Sequence, residues 1–361
     1  MPAFGRLGRP RTEDRLLTLR GPARPIRRLG PIVVLLTAAF ATSAASAPPA
    51  AALSGVAWPA LSEGARGTDV IAAQNLLRVG LLPNPLPRRR ALLRSIVMPP
   101  VDGVFGATTA DAVRRFQNGH GLAATGIVDA ATWSKLAVAL SQGIAGPAVF
   151  ALQRELVEKR AAVLVVDGIF GSTTRTAVVA FQKHAGLAQT GAVDLATWRT
   201  LVWHYELPRF SSKALCDYSV GNGPANWGTA EAIAGLEAAG AWSVIHGYGR
   251  LAVGDVSFEH GGPIPGHETH QRGLDVDIRP LRKANDQCTA RTLYTYTAYD
   301  RTATRAVIKA VRALSPGRIK LIYFNDPVLI SEGLTTWFSG HDDHLHIRFC
   351  EPLYPIAAYR C

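Results

Sequence analysis

The feature that most limits what this 361-residue chain can fold into is an internal repeat. Residues 101–136 read VDGVFGATTADAVRRFQNGHGLAATGIVDAATWSKL, and residues 166–201 read VDGIFGSTTRTAVVAFQKHAGLAQTGAVDLATWRTL. Asp102 matches Asp167, Phe105 matches Phe170, Phe116-Gln117 match Phe181-Gln182 and Trp133 matches Trp198, all at an offset of 65. Gln74 and Gln153 also correspond, at an offset of 79. The first copy therefore carries about fourteen extra residues in the Pro- and Arg-rich stretch 81–100, which reads as a surface loop. Self-similarity of this kind signals two copies of one structural unit.

The residue pattern predicts a small helical unit in each copy. Ile71, Gln74, Leu76 and Leu77 suit a first helix. A DGxFG turn follows, where glycine permits backbone angles that other residues resist. Thr108 or Thr109 is placed to cap a second helix whose apolar face holds Ala112, Val113 and Phe116. Asp129 or Thr132 opens a last short helix containing Trp133. The Phe and Trp residues read as core, because so short a unit needs aromatics to bury enough surface. On the DG(V/I)FG turn, the FQ pair, the GL…TG segment and the (V/A)D…TW ending, both copies resemble the three-helix peptidoglycan-binding domain of cell-wall hydrolases. The resemblance covers residues 60–138 and 142–203 and implies modules that hold a catalytic domain on the wall. Joining two weak binders raises retention through effective concentration.

The first thirty residues place eight arginines against Glu13 and Asp14, which accounts for six of the twelve net positive charges. An apolar run from Ile32 to Ala41 and an Ala45-Ser46-Ala47 triplet follow, so residues 1–47 read as an export signal. The run is short for a membrane span, so no stable membrane insertion is expected once the signal is removed. The remaining chain is mildly basic, which favours an anionic partner such as a cell wall. No basic helix or aromatic platform points to nucleic acid. A monomer is the default expectation. Four cysteines, Cys216, Cys288, Cys350 and Cys361, lack CxxC spacing, and export makes disulfides plausible. Of three possible pairings, Cys216 with Cys361 and Cys288 with Cys350 are favoured, the first because it would tie the ends of the last domain together.

Six of the ten histidines fall between His260 and His346. They lie in HGGPIPGHETHQRGLDVDI, residues 260–278, and GHDDHLHIRF, residues 340–349. Leu274, Val276 and Ile278 alternate with Asp275 and Asp277, so a strand would turn both carboxylates to one face. Two carboxylates side by side need something positive beside them, and a metal is the natural candidate. His270 precedes Asp277 by seven residues, across a tight Gln271-Arg272-Gly273 corner that lets the two converge. His344 and His346 share a strand face by the same alternation. Two histidines, one carboxylate and an open fourth position form a common catalytic zinc set, whereas structural zinc fills four positions and favours cysteine. Zinc makes water a nucleophile at neutral pH, and His344 or His341 is placed to move the proton to the leaving amine. There is no HExxH helix, and no S-x-x-K that would serve a serine-acylation route.

These two stretches resemble the penicillin-insensitive murein endopeptidases. The resemblance covers about residues 205–361. It implies an α+β zinc peptidase domain with a central antiparallel sheet, following the two three-helix modules. It implies one Zn2+ held by His270, Asp277 and His346, with His344 and His341 as catalytic partners and His267 near the metal. The implied reaction is hydrolysis of the D-alanyl–diaminopimelyl cross-link of peptidoglycan by an exported enzyme. A zinc D,D-carboxypeptidase trimming stem peptides would use the same site, and an inactive wall-binding protein is the reading from another class. Around the motifs, helices are expected over 229–239 and 302–314 and a strand over 319–324. Asn325 and Asp326 suit a turn more than the cleft. Trp337 and Phe338 suit either a groove wall or the core.

Overall fold

The computed structural model describes residues 56–81, 98–219 and 224–361. The expected export segment, residues 1–47, and most of the expected loop over 81–100 lie outside the described residues.

Among the described residues each repeat copy has three helices, α1 (Thr68–Gly80), α2 (Ala107–Gly119) and α3 (Ala130–Leu136), then α4 (Pro147–Arg160), α5 (Ser172–His184) and α6 (Leu195–Trp203). Phe105, Phe116 and Trp133, with Phe170, Phe181 and Trp198, are buried, as a small apolar core requires. The paired glutamines explain the rest of the repeat. Gln117 donates to the Thr125 and Thr132 hydroxyls and the Ile127 carbonyl, and accepts from the Gly126 amide. Gln182 makes the same set with Thr190, Thr197, Ala192 and Gly191. Gln74 and Gln153 likewise hold the DGxFG turns through Asp102 and Asp167. In those turns Gly103 and Gly168 have φ of 70° and 74°, the left-handed region that glycine alone enters freely. Asp129 and Asp194 cap α3 and α6, each accepting from a backbone amide at 2.8 and 2.7 Å. The expected Thr108 or Thr109 cap of α2 is not made. Gly106 holds that position, and the Thr109 hydroxyl instead receives the Gln74 amide.

The two copies share one apolar core, and α1 packs along α4. Lys159 on α4 crosses this interface: its ammonium lies 2.6 Å from Asp69 of α1 and 3.2 Å from Glu155, all buried. Burial opposes its charge, but the two carboxylates outweigh that and hold its pKa above the usual lysine value.

The remaining residues form β1 (Leu215–Asp217), α7 (Ala230–Ile245), β2 (Leu251–Val253), β3 (Asp275–Ile278), α8 (Arg301–Leu314), β4 (Ile319–Tyr323), α9 (Pro327–Ser331) and β5 (Leu345–Phe349). Thr229 and Asp300 cap α7 and α8. Among the described residues the sheet runs β1-β2-β3-β5-β4. The three pairings from β2 onward are antiparallel, and β1 with β2 is parallel at one edge. Val276, Ile278, Leu345 and Ile347 enter a core with α7 and α8. Arg318, nearly inaccessible, fastens this domain to the first module by donating to the Ser62 and Glu63 carbonyls at 3.1 and 2.8 Å.

The disulfides correct the favoured pairing: Cys216 joins Cys288, and Cys350 joins Cys361. The connection after β3 folds back over the edge of the sheet, where Gln287 donates to the Arg250 carbonyl and brings Cys288 to β1. The last residues pair locally with the chain after β5, through Glu351 and Arg360. No helix among the described residues is long and apolar enough to cross a membrane.

Candidate metal centre

The strand register builds the site. Antiparallel pairing sets Asp277 opposite His346 and Asp275 opposite Arg348, and β4 sets Tyr323 beside His346. Alternation turns these polar side chains away from the apolar set that faces the helices. His270 arrives from the loop before β3. Its φ is 60°, a left-handed conformation that costs a residue with a β-carbon about 1–3 kcal/mol. The Asp275 carboxylate accepts the His270 amide at 3.2 Å, which helps to hold it there.

His270, Asp277 and His346 are buried, and three of their atoms form a near-equilateral triangle. His270 Nε2 lies 3.0 Å from His346 Nδ1 and 3.2 Å from Asp277 Oδ1, and His346 Nδ1 lies 3.1 Å from Asp277 Oδ1. The outer ring nitrogens are already committed. His270 Nδ1 faces the Val256 carbonyl at 3.2 Å, and His346 Nε2 faces Asp275 at 2.9 Å. Carbonyl and carboxylate oxygens only accept, so those nitrogens carry the protons. The inner nitrogens then face each other and a carboxylate, so either an added proton or a metal cation must stand among them. Donors about 2.0–2.1 Å from a tetrahedral zinc stand about 3.3 Å apart, close to the edges observed. An oxygen acceptor behind each imidazole is also the usual outer support of a metal ligand. The donor set therefore fits a zinc-class ion.

Without an ion, the electrostatics let a proton on His346 meet that demand, and a metal would take its place. Burial opposes a charge on His346, yet the bonds and charges of Asp275 and Asp277 push its pKa up to about 9. Burial likewise opposes ionisation of Asp277, but His270 and His346 hold its carboxyl well below the usual range. Asp275 has its own cation: Arg348 Nε lies 2.6 Å away, and the Tyr359 hydroxyl donates to it at 2.8 Å. The positive neighbour expected for the two carboxylates is thus partly supplied by an arginine.

The other expected residues surround this triangle. His267 offers a donor atom within 4.8 Å of those of His270 and Asp277. Its Nε2 also pairs with Asp255 at 3.0 Å, which raises its pKa. His344 stands one residue before β5, with Nε2 3.9 Å from Asp277 Oδ2 and Nδ1 3.0 Å from Asp343. Burial lowers its pKa, but Asp343 and Asp277 outweigh that and raise it. His341 packs on His344 at 4.6 Å between ring centres, and burial lowers its pKa. Trp337 and Phe338 are exposed at the rim, with Phe338 stacked on Tyr323. Asn325 ties the loop by donating to Asp342 and accepting from the Phe338 amide, while Asp326 caps α9. Sequence reasoning missed Asp255 and Asp343 as partners of histidines. Asp343 had a signal, adjacency to His344, whereas Asp255 had none. A cavity of about 350 Å3 opens elsewhere, between the modules and this domain, so cavity size does not locate the triangle.

A family profile for penicillin-insensitive murein endopeptidase matches residues 222–319, and one for a peptidoglycan-binding domain matches residues 66–136 and 145–201. The chain carries a murein endopeptidase domain behind two peptidoglycan-binding domains. No curated protein matches the chain as a relative. The endopeptidase match includes His267, His270 and Asp277 and stops before His341, His344 and His346. The sheet register returns His346 to the matched part, because β5 pairs with β3. Within this murein endopeptidase domain, the triangle joins buried ring nitrogens and a carboxylate from β3 and the loop before it, inside the matched span, with His346 of β5, beyond it.

Proposed function

We propose that this protein is an exported, zinc-dependent endopeptidase that hydrolyses the D-alanyl–diaminopimelyl amide of peptidoglycan cross-links. In this reading residues 1–47 are an export signal, 60–138 and 142–203 are wall-binding modules, and 205–361 form the peptidase. The carrying observation is the buried triangle of His270 Nε2, Asp277 Oδ1 and His346 Nδ1, with edges of 3.0–3.2 Å. His270, Asp277 and His346 hold one zinc ion, with His267 beside it. When bound, zinc supplies Lewis acidity toward water and the scissile carbonyl. The Val256 carbonyl and Asp275 keep both imidazoles in the ligating tautomer. His344, anchored by Asp343, presents Nε2 to the same pocket and delivers a proton to the leaving amine. His341, packed on its ring, takes part in the same proton movement. Trp337 and Phe338 wall the groove that receives the strand. Two disulfides suit an oxidising compartment.

The test is digestion of purified cross-linked dimeric muropeptides and of monomeric ones, with and without a chelator. Dimers are expected to fall to monomers, to resist when chelator is present, and to yield again when zinc is restored. Trimming of monomers beside untouched dimers would assign a carboxypeptidase instead. Untouched substrates of both kinds, with zinc present, would leave a wall-binding protein.

A further inference from the structure

A second group of histidines lies far from the triangle in sequence and stands where the second module meets the peptidase domain. His184 ends α5, His204 follows α6, and His260 opens the loop that leads to His267 and His270. Each offers a ring nitrogen within 4.8 Å of the others. From these residues we infer a further transition-metal site at the module–peptidase junction, independent of the ion at His270.

His204 is almost wholly inaccessible. Its Nδ1 faces the Thr200 carbonyl at 2.6 Å, so Nδ1 holds the proton and Nε2 is a bare lone pair. That buried Nε2 has no hydrogen-bond partner, and neither does His260 Nδ1. A buried polar atom left unsatisfied destabilises the fold, and a bound cation would remove that penalty. The outer nitrogen of His184 has an acceptor to hold it, Glu259 at 2.9 Å, and the same carboxylate stands 4.0 Å from His260 Nε2, too far for a hydrogen bond. Imidazoles on one tetrahedral zinc place their ring centres about 5.2 Å apart. Here the separations are 5.7, 5.8 and 4.8 Å. His204 and His260 also line the 350 Å3 cavity, which gives an ion a way in. The ion must displace one competitor, Arg160, whose guanidinium reaches His184 Nδ1 at 3.1 Å. An all-imidazole set with one carboxylate nearby suits zinc, nickel or copper rather than magnesium or calcium. Such an ion would couple the second module to the loop that carries His270.

The full chain, stripped of metal and dialysed against zinc, is expected to retain two equivalents by mass spectrometry. His184→Gln and His260→Asn, both partly exposed positions, are each expected to retain one, and His346→Ala is expected to retain the junction ion. Thermal melting with and without zinc reads the same site: a His346→Ala chain should still gain stability from zinc, and a His346→Ala/His260→Asn chain should not. One equivalent in the wild type, lost in His346→Ala and kept in His260→Asn, would overturn the junction site and leave the peptidase site standing. Two equivalents in both junction variants would overturn it as well.

Discussion

In the helical modules, Gln117 and Gln182 give every amide hydrogen and oxygen a neighbour, whereas on the peptidase sheet His270 and His346 turn one ring nitrogen each toward nothing but further acceptors. Both regions bury polar groups among apolar side chains, and the difference lies in what is left over. The glutamines close a turn and leave no demand on solvent or ligand, so they are structure. The histidine–aspartate triangle leaves a demand that an added proton or a metal ion meets, which makes it the candidate site. Burial alone does not separate the two kinds.

Breaking the triangle should have the largest effect. His346→Ala is expected to lower muropeptide cleavage at least about a thousandfold, since Lewis-acid stabilisation is worth several kcal/mol. Its melting curve should stay cooperative, and an active variant would return the triangle to the structural class. Next comes the support behind it. Asp275→Asn removes the charge behind His346 Nε2 and should weaken zinc affinity about 10–100-fold, read by competition with a chelating dye. Unchanged affinity would mean that Asp275 serves Arg348 and Tyr359 alone.

Gln182→Ala tests the other side of the comparison. It should cost about 1–3 kcal/mol of stability, because the Gly191 amide and Ala192 carbonyl lose their partner. Cleavage of small soluble muropeptides should not change, and a loss of cleavage with a normal melt would show that the module reaches the active site.

A pH series sharpens the contrast between buried acids. Asp277 is held low by histidines, but Glu206 at the module junction is pushed by burial from 4.5 up to about 8. Between those values folded chains keep a proton that unfolded chains have released. The contribution is therefore full below about pH 4.5 and is lost as pH rises through about 8. Melting temperature should fall from pH 5.5 to 8.5, and Glu206→Gln should flatten part of that slope. A slope identical in the variant would assign it to Glu231 and Glu351, which burial also raises.

What was readable in the sequence follows the range of each interaction. Asp129 as a cap, the alternation around Asp277 and the place of His346 on its strand depend on neighbours within a few residues and stand where the pattern put them, whereas His344 lies one residue before the strand it was expected to share. Thr109 did not cap α2 because Gln74, thirty-five residues earlier, uses its hydroxyl. The disulfides escaped for the same reason: a loop crossing the sheet edge, rather than spacing along the chain, selects Cys288 for Cys216. Asp255 reaches His267 only once β2 and β3 are paired, so no local signal could announce it.

The common core beneath α1 and α4 bears on how the wall is gripped. Two modules on a slack tether would accept partners at many distances. Modules fused through Leu76, Leu152 and the Lys159–Asp69 pair act as a gauge of fixed opening. If both bind the wall, their combined grip would be greatest where it offers two attachment points at that one separation, and would fall to that of a single module elsewhere.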